Sequence, residues 1–375
     1  MKDNTKVPAK VSRRQFIKST AVAGTVAATV AASNLPKPAI AQGRKELRMV
    51  TSWPKNFPGL GTGANRVAER ITAMTGGRYT VRVYAANELV NPLKCLDAIQ
   101  EGTADLYHSA DYYYQGKSKA YNFFASVPMG MLANEVYAWV MHGGGQALWD
   151  ELGAQFGVKH FLGGNSGLQM GGWFKKPMKS LEDFKGLKMR IPGLGGDVIK
   201  ELGGTSVTLA GGDILPALTA GTIDATEWVG PWNDLAFGFY KAVSNYHYPG
   251  FHEPGTITGV GISKKLYDGM SKEDQAIIES ACLAESSYTL AEFNANNAAA
   301  LDTLVTKHGV KLVEFSDEIY KAFNKASLDV LSSAAASDAI TKKVHDSYMT
   351  FRKAVAGWNA LSEQSYMNKR SKVGV

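Results

Sequence analysis

Leu96-Asp97-Ala98-Ile99-Gln100-Glu101-Gly102-Thr103-Ala104-Asp105 returns further along the chain as Leu215-Pro216-Ala217-Leu218-Thr219-Ala220-Gly221-Thr222-Ile223-Asp224. Each copy reads as a helix, a terminating glycine and the start of a new strand, because glycine suits the left-handed conformation just past a helix end. The repetition of this corner predicts two similar lobes, each with its own sheet, meeting at a cleft. Outward from the first copy the same alternation continues. Leu47 to Ser52 reads as a strand. Ala64 to Thr75 reads as a helix with Val67, Ile71 and Met74 on one face, ended by Gly76-Gly77, and Tyr79 to Tyr84 as the next strand. This is an α/β pattern with mainly parallel sheets.

The 375 residues divide accordingly. A first lobe is expected over 42–165 with 255–310, and a second over 166–254. After Gly255 the pattern changes: Ser271 with Asp274 makes a capping-box start, and helical composition runs from Lys272 to a stop at His308-Gly309. A helix that long must brace or span both lobes. Residues 311–375 read as a C-terminal helical extension. There Val344, Tyr348, Phe351, Val355 and Trp358 recur at alternating spacings of four and three, the period of a coiled-coil seam. Such a stripe serves either as core or as a contact between two subunits, and a homodimer is the expectation.

The N-terminal segment decides the compartment. Ser12-Arg13-Arg14-Gln15-Phe16-Ile17-Lys18 leads into the small, apolar run Thr20 to Ala32, and Ala39-Ile40-Ala41 supplies an A-x-A cleavage site. Residues 1–41 therefore read as a twin-arginine export signal and the mature chain as a periplasmic protein beginning near Gln42. Of the 41 Lys/Arg and 34 Asp/Glu in the chain, that segment holds seven and one, which leaves 34 and 33. A nearly balanced remainder lacks the cationic field that a nucleic-acid binder needs. Beyond the signal no apolar run approaches the roughly 18 residues of a membrane span. The two cysteines, Cys95 and Cys282, sit within helical patterns beside apolar neighbours and read as buried free thiols.

Several enzyme signatures appear in outline and fail. Gly59-x-Gly61-x-x-Ala64 is separated from its strand by Trp53, Pro54 and Pro58, and no acidic residue ends the next strand. Gly164-Asn165-Ser166-Gly167 has Leu168 where a nucleophile elbow needs its second glycine. His252-Glu253 runs into Pro254-Gly255 and lacks the second histidine of a zinc helix.

A polar set embedded in glycine and aromatic residues survives. Gln169 lies in Asn165-Ser166-Gly167-Leu168-Gln169-Met170-Gly171-Gly172-Trp173-Phe174. Arg190 lies in Gly186-Leu187-Lys188-Met189-Arg190-Ile191-Pro192-Gly193. Glu227 and Trp228 lie in Asp224-Ala225-Thr226-Glu227-Trp228-Val229-Gly230-Pro231-Trp232. Arg190, at the end of a short strand, carries a planar fork of donors that matches a carboxylate in two places, or else it makes a structural salt bridge. Glu227 and the amide oxygen of Gln169 are hard oxygen donors, suited to Na⁺ or Ca²⁺ rather than zinc. Tyr112, Tyr113, Tyr114, Phe123 and Phe124 form either a pocket wall or plain core of the first lobe.

Over essentially the whole mature chain these strings resemble the solute receptors of tripartite ATP-independent periplasmic (TRAP) transporters, the DctP family, in the branch that binds 2-oxoacids such as pyruvate. The resemblance implies a two-lobed periplasmic binding protein fold in which Arg190 grips the ligand carboxylate. It implies a cation, Na⁺ with Ca²⁺ as the alternative, held by Gln169, Glu227 and the main-chain carbonyl of Trp228. Glu253, in Tyr248-Pro249-Gly250-Phe251-His252-Glu253-Pro254, would also line the pocket, and Asn165 and Tyr112 are placed among the ligand contacts. The partners implied are a small 2-oxo or 2-hydroxy acid and the TRAP membrane subunits. Two rival readings stay open: an exported enzyme using Glu227 or Glu253 as a general base near Arg190, and a receptor for sugars or amino acids indifferent to cations.

Overall fold

Two separate sheets organise residues 44–374, the span that the computed structural model describes; the export signal expected at 1–41 lies outside the described residues. In chain order the strands are β1 (Lys45–Thr51), β2 (Tyr79–Tyr84), β3 (Leu106–Ser109), β4 (Val158–Asn165), β5 (Gly172–Phe174), β6 (Lys188–Arg190), β7 (Thr205–Val207), β8 (Ala225–Thr226), β9 (Asn245–Tyr248), β10 (Ile257–Ser263) and β11 (Lys311–Glu314). The first sheet has the order β2-β1-β3-β10-β4 and the second β11-β9-β5-β8-β6-β7.

The repeat seen in the sequence occupies matching places in the two sheets. One copy forms the helix Cys95–Gln100 and β3, the other the helix Gly211–Ala220 and β8. Both corner glycines adopt the left-handed backbone, Gly102 at φ 72° and Gly221 at φ 77°, which a β-carbon would strain. β3 lies between its parallel neighbour β1 and antiparallel β10, and β8 between parallel β6 and antiparallel β5.

The sheets are mixed rather than mainly parallel. The exceptions are the strands that follow a crossing from the other lobe: β5, reached through residues 166–171, and β10, reached through residues 249–256, run antiparallel to both of their neighbours. The reason is topological. A strand followed by a returning helix points its carboxyl end toward the cleft, whereas a chain arriving across the cleft enters its sheet from that side and must run the other way.

The helix Leu60–Met74 buries Ala64, Val67 and Ile71 in a cluster that includes Leu47, Met49 and Leu106 of the first sheet. Complete burial of a side chain such as Ile71 is worth roughly 1.5–3 kcal/mol. Met74, expected on the same face, is 46% exposed in the helix's last turn. Lys272–His308 is one continuous helix, started by Ser271, whose hydroxyl accepts the Asp274 N–H, and stopped by left-handed Gly309. Its first half places Ile278, Ala281 and Cys282 in the core of the first sheet, and its second half places Phe293 and Leu304 with Trp173 and Tyr246 of the second. It therefore spans both lobes. Cys95 and Cys282 are free and buried.

Residues 311–375 are not wholly helical. β11 adds a parallel edge to β9 before the helices Asp317–Ala335, Ala339–Leu361 and Glu363–Val373 begin. Four residues with valine and leucine at their centre are too few to show a period, so the strand is invisible in a helical stretch. The expected stripe splits: Val344 and Tyr348 are core, while Trp358 is 70% exposed. Among the described residues no helix is long and apolar enough to cross a membrane.

Each lobe pins the loop beyond its repeat strand with a buried aspartate. Asp111 accepts the Tyr107 hydroxyl at 2.8 Å and the Trp149 indole N–H at 3.0 Å. Asp234 accepts the Tyr246 hydroxyl at 2.6 Å, the Trp173 indole N–H at 2.9 Å and the Val229 N–H at 3.2 Å. Burial pushes both carboxyls up to about 7, against the opposing pull of these donors. A carboxyl whose folded pKa lies above its unfolded value of about 4 binds more protons when folded. Its stabilisation is full below about pH 4 and is lost as pH rises through about 7. Asp111→Asn and Asp234→Asn keep the shape and stay neutral, so each is expected to gain on the wild type by roughly 2–4 kcal/mol between pH 4 and pH 8. Urea unfolding at both pH values checks this; a constant difference would refute it.

Candidate functional site

The loops that follow the two repeat strands face one another. Beyond β3 the chain makes a short turn, Asp111–Tyr114, and beyond β8 it continues as Glu227, Trp228 and Val229. Ligands of open α/β sheets bind outside the carboxyl ends of the strands, and here two such ends meet. The third component is the pair of crossing segments, 166–171 and 249–256, which hydrogen-bond to each other. The Ser166 N–H donates to the Thr256 carbonyl at 3.0 Å, the Gln169 N–H to the Glu253 carbonyl and the Gly250 N–H to the Gln169 carbonyl, both at 3.1 Å. A β-carbon on Gly250 would lie 2.5 Å from that Gln169 oxygen, so the approach requires glycine.

Charged and polar side chains from all three components gather where these segments meet. Arg190, at the end of β6, is buried and contacts the ring of Trp228, 5.2 Å from guanidinium carbon to ring centre. Its Nε donates to the Leu209 carbonyl at 3.1 Å. Nη1 donates to the Glu227 carbonyl at 3.1 Å and to the Glu227 carboxylate, and Nη2 reaches the Tyr113 hydroxyl at 3.4 Å. The other Glu227 oxygen lies 3.2 Å from His252 Nε2. Ligating atoms of Glu227, His252 and Glu253 lie within 4.8 Å of one another. Glu253 accepts from Gln169 Nε2 at 2.8 Å and from the Thr256 hydroxyl at 2.6 Å. Burial, and then the neighbouring Glu227 carboxylate, push Glu253 up to about 7.

These contacts occupy the amide nitrogen of Gln169, whereas its amide oxygen is buried without a partner. An unpaired buried carbonyl is costly, so a positive or donor group belongs beside it. The side chain lines a small chamber between the lobes with a cavity volume of about 10 Å³, room for little more than one water molecule. Ser166, Thr256, Thr258, Tyr112 and Tyr113 add hydroxyls to its polar side, and Trp53, Leu60, Trp228 and Val229 line its apolar side. A ligand of several heavy atoms fits there only when the lobes stand further apart. Further contacts join the lobes: Phe57 stacks on Phe237 with ring centres 4.3 Å apart, and Asn233 Nδ2 donates to the Pro58 carbonyl at 3.0 Å.

Gln169, Trp228 and Tyr112 thus line the chamber, and Arg190, Glu227 and Glu253 gather in the hydrogen-bonded cluster outside that lining, with three departures from expectation. The fork of Arg190, expected to face a ligand, is largely engaged by Glu227 and Leu209. Asn165 is absent from the chamber lining: its oxygen accepts the Gly167 N–H at 2.8 Å and its nitrogen donates to the Gly255 carbonyl at 3.4 Å, tying the two crossings together. Of the five aromatic candidates only Tyr112 and Tyr113 line the chamber. Phe124 instead stacks between Trp139 and Trp149, Phe123 packs on Tyr348, and Tyr114 on Tyr107. The missed member is His252. Its position beside Glu253 is the one signal in the sequence, but its partner is a carboxylate beyond another strand rather than a second histidine nearby.

Residues 49–338 match the bacterial extracellular solute-binding protein family 7. A monocarboxylate 2-oxoacid-binding periplasmic protein of Nostoc sp. is 42% identical over 360 residues, covering 96% of this chain and 98% of the relative. A TRAP periplasmic solute-binding protein from Pseudoalteromonas atlantica, solved with bound sodium and pyruvate, is 36% identical with a TM-score of 0.85, covering 88% of this chain and 100% of that one. A TRAP transporter solute-binding protein from Bordetella bronchiseptica, a dimer of mixed occupancy with calcium and picolinate in its filled site, is 34% identical with a TM-score of 0.84. That match covers 86% of this chain and 96% of the Bordetella chain.

Proposed function

The chain belongs to family 7 of the bacterial extracellular solute-binding proteins, and from that membership and the buried cluster we propose that it is the receptor of a TRAP transporter for a small 2-oxo monocarboxylate bound together with Na⁺ or Ca²⁺. The observation that carries this reading is the unpartnered amide oxygen of Gln169, in the chamber lining, on a side chain whose nitrogen donates to Glu253. Oxygen donors of this kind fit a hard cation. Gln169, Glu227 and the main-chain carbonyl of Trp228 would hold it, with Glu253 beside them. A bound cation supplies a positive centre that the carboxylate and adjacent carbonyl of a 2-oxoacid chelate together, which a simple fatty acid cannot do. Arg190 offers its Nη2 edge to the same carboxylate, Tyr112 and Tyr113 close the wall, and the apolar side accepts a short side chain.

With both glutamates ionised, Arg190, the acid and Na⁺ leave a formal charge of −1, and Ca²⁺ leaves zero. Receptors of this family bind and release rather than transform. The crossings that bear Gln169 and Glu253 also join the lobes, so capture and closure are one event, and the closed form is what the membrane subunits would engage. The finer features of this reading are export by the twin-arginine route, from Arg13-Arg14, and a homodimer through the exposed apolar residues Trp358, Leu361 and Met367 of the last helices.

Calorimetry with pyruvate and longer 2-oxoacids in sodium and in calcium tests the reading. Binding without consumption of the acid is expected, with melting raised by about 2.7 kcal/mol equivalent at a hundredfold excess over Kd. Arg190→Lys is expected to weaken binding about tenfold or more, since an ammonium cannot bridge two oxygens as a guanidinium does; steady turnover would favour the enzyme reading instead. Sedimentation of a Trp358→Glu, Leu361→Glu variant should show a monomer where the wild type is a dimer, and a monomeric wild type defeats the dimer. Arg13→Lys with Arg14→Lys should leave the precursor in the cytoplasm, and unimpaired export defeats the twin-arginine route.

A further inference from the structure

Both oxygens of the Glu227 carboxylate already have donors. One takes the Arg190 Nη1 hydrogen, and the other lies 3.2 Å from His252 Nε2. Yet Glu227 belongs to the three-residue cluster able to hold an ion, and Arg190 is the only guanidinium within hydrogen-bond reach of it among the described residues. Nε of Arg190 is tied to Leu209 and Nη1 to Glu227, so a carboxylate can be gripped through the Nη1–Nη2 end of the fork only if Nη1 gives up its hold on Glu227. A cation on Glu227 and an acid on that end of Arg190 therefore depend on the same broken bond.

We infer that Glu227 is an exchange site: its carboxylate holds either the Arg190 guanidinium or a cation, and the cation, by displacing Nη1, releases the fork that grips the acid. The inference rests on the receptor reading and specifies how its two ligands communicate. His252 remains on the second oxygen during the exchange and keeps the carboxylate from following the guanidinium. Glu253 takes no part in it, because its bonds run to Gln169 and Thr256. Cation and acid then bind with positive coupling, by the same factor in either order, and that factor should be about tenfold or more.

The test compares pyruvate binding by calorimetry in choline chloride with a chelator against binding in sodium chloride. Wild type should bind about tenfold or more weakly in choline, and a difference below about threefold overturns the exchange without recourse to any variant. Glu227→Gln keeps one acceptor oxygen and removes the charge that attracts Arg190, whereas Glu253→Gln removes a neighbouring carboxylate that does not hold the fork. In choline, Glu227→Gln should therefore bind pyruvate more tightly than wild type, by about fivefold or more beyond any gain from Glu253→Gln. Equal gains in the two variants would mean simple charge repulsion and overturn the exchange. No binding of any 2-oxoacid by the wild type, in sodium or calcium, would overturn the receptor reading and the exchange with it.

Discussion

Charge buried at the seam between two lobes is the constraint to which the rest of this structure answers. A guanidinium, two carboxylates and an imidazole are almost wholly removed from water, and each ion left without a partner there would cost several kcal/mol. Arg190 is therefore held from three sides, by Leu209, Glu227 and Tyr113, and Glu253 is held by Gln169 and Thr256. The groups come from β6, from the loop after β8 and from the two crossings, so none of these segments can shift far without uncovering a charge. An anion and a cation together suit such a site, because they enter as a balanced pair.

The two lobes meet this demand in parallel ways. Each carries the helix–glycine–strand corner of the repeat, and beyond each corner a buried aspartate takes one tyrosine hydroxyl and one tryptophan N–H. Those anchors are second in line: they touch neither Arg190 nor Glu227, but they fix the loops bearing Tyr112 and Trp228 against their own sheets. A loop fixed to its lobe moves only with that lobe. In the proposed receptor, closing the cleft would then be a movement of whole lobes about the crossings.

The crossings can serve as the axis because they hydrogen-bond to each other as well as to the site. Asn165, Ser166 and Gln169 on one meet Gly255, Thr256 and Glu253 on the other. The long helix Lys272–His308 adds a third connection, and Phe323 of the following helix stacks on Phe251 of the second crossing with ring centres 3.8 Å apart. A ligand that bonds Gln169 or Glu253 thus acts on the same residues that set the angle between the lobes.

Much of this architecture is legible in the amino-acid sequence alone. The repeated corner discloses two lobes, the capping serine and the stop at Gly309 bound the long helix, and the glycine-rich and aromatic strings hold Gln169, Arg190, Glu227 and Glu253. Those features are local: periodicity, caps and turns report backbone conformation over a few residues, and an arginine or glutamine among glycines stands out from its neighbours. The tertiary structure decided which of these residues meet. It turned β5 and β10 antiparallel, made a strand of Lys311–Glu314, sent Asn165 to the backbone of the crossings, placed Phe123 and Phe124 in the core, and brought His252 to Glu227. Each of those outcomes depends on a partner remote in the chain, and sequence spacing carries no record of which distant segment the folded topology will set alongside.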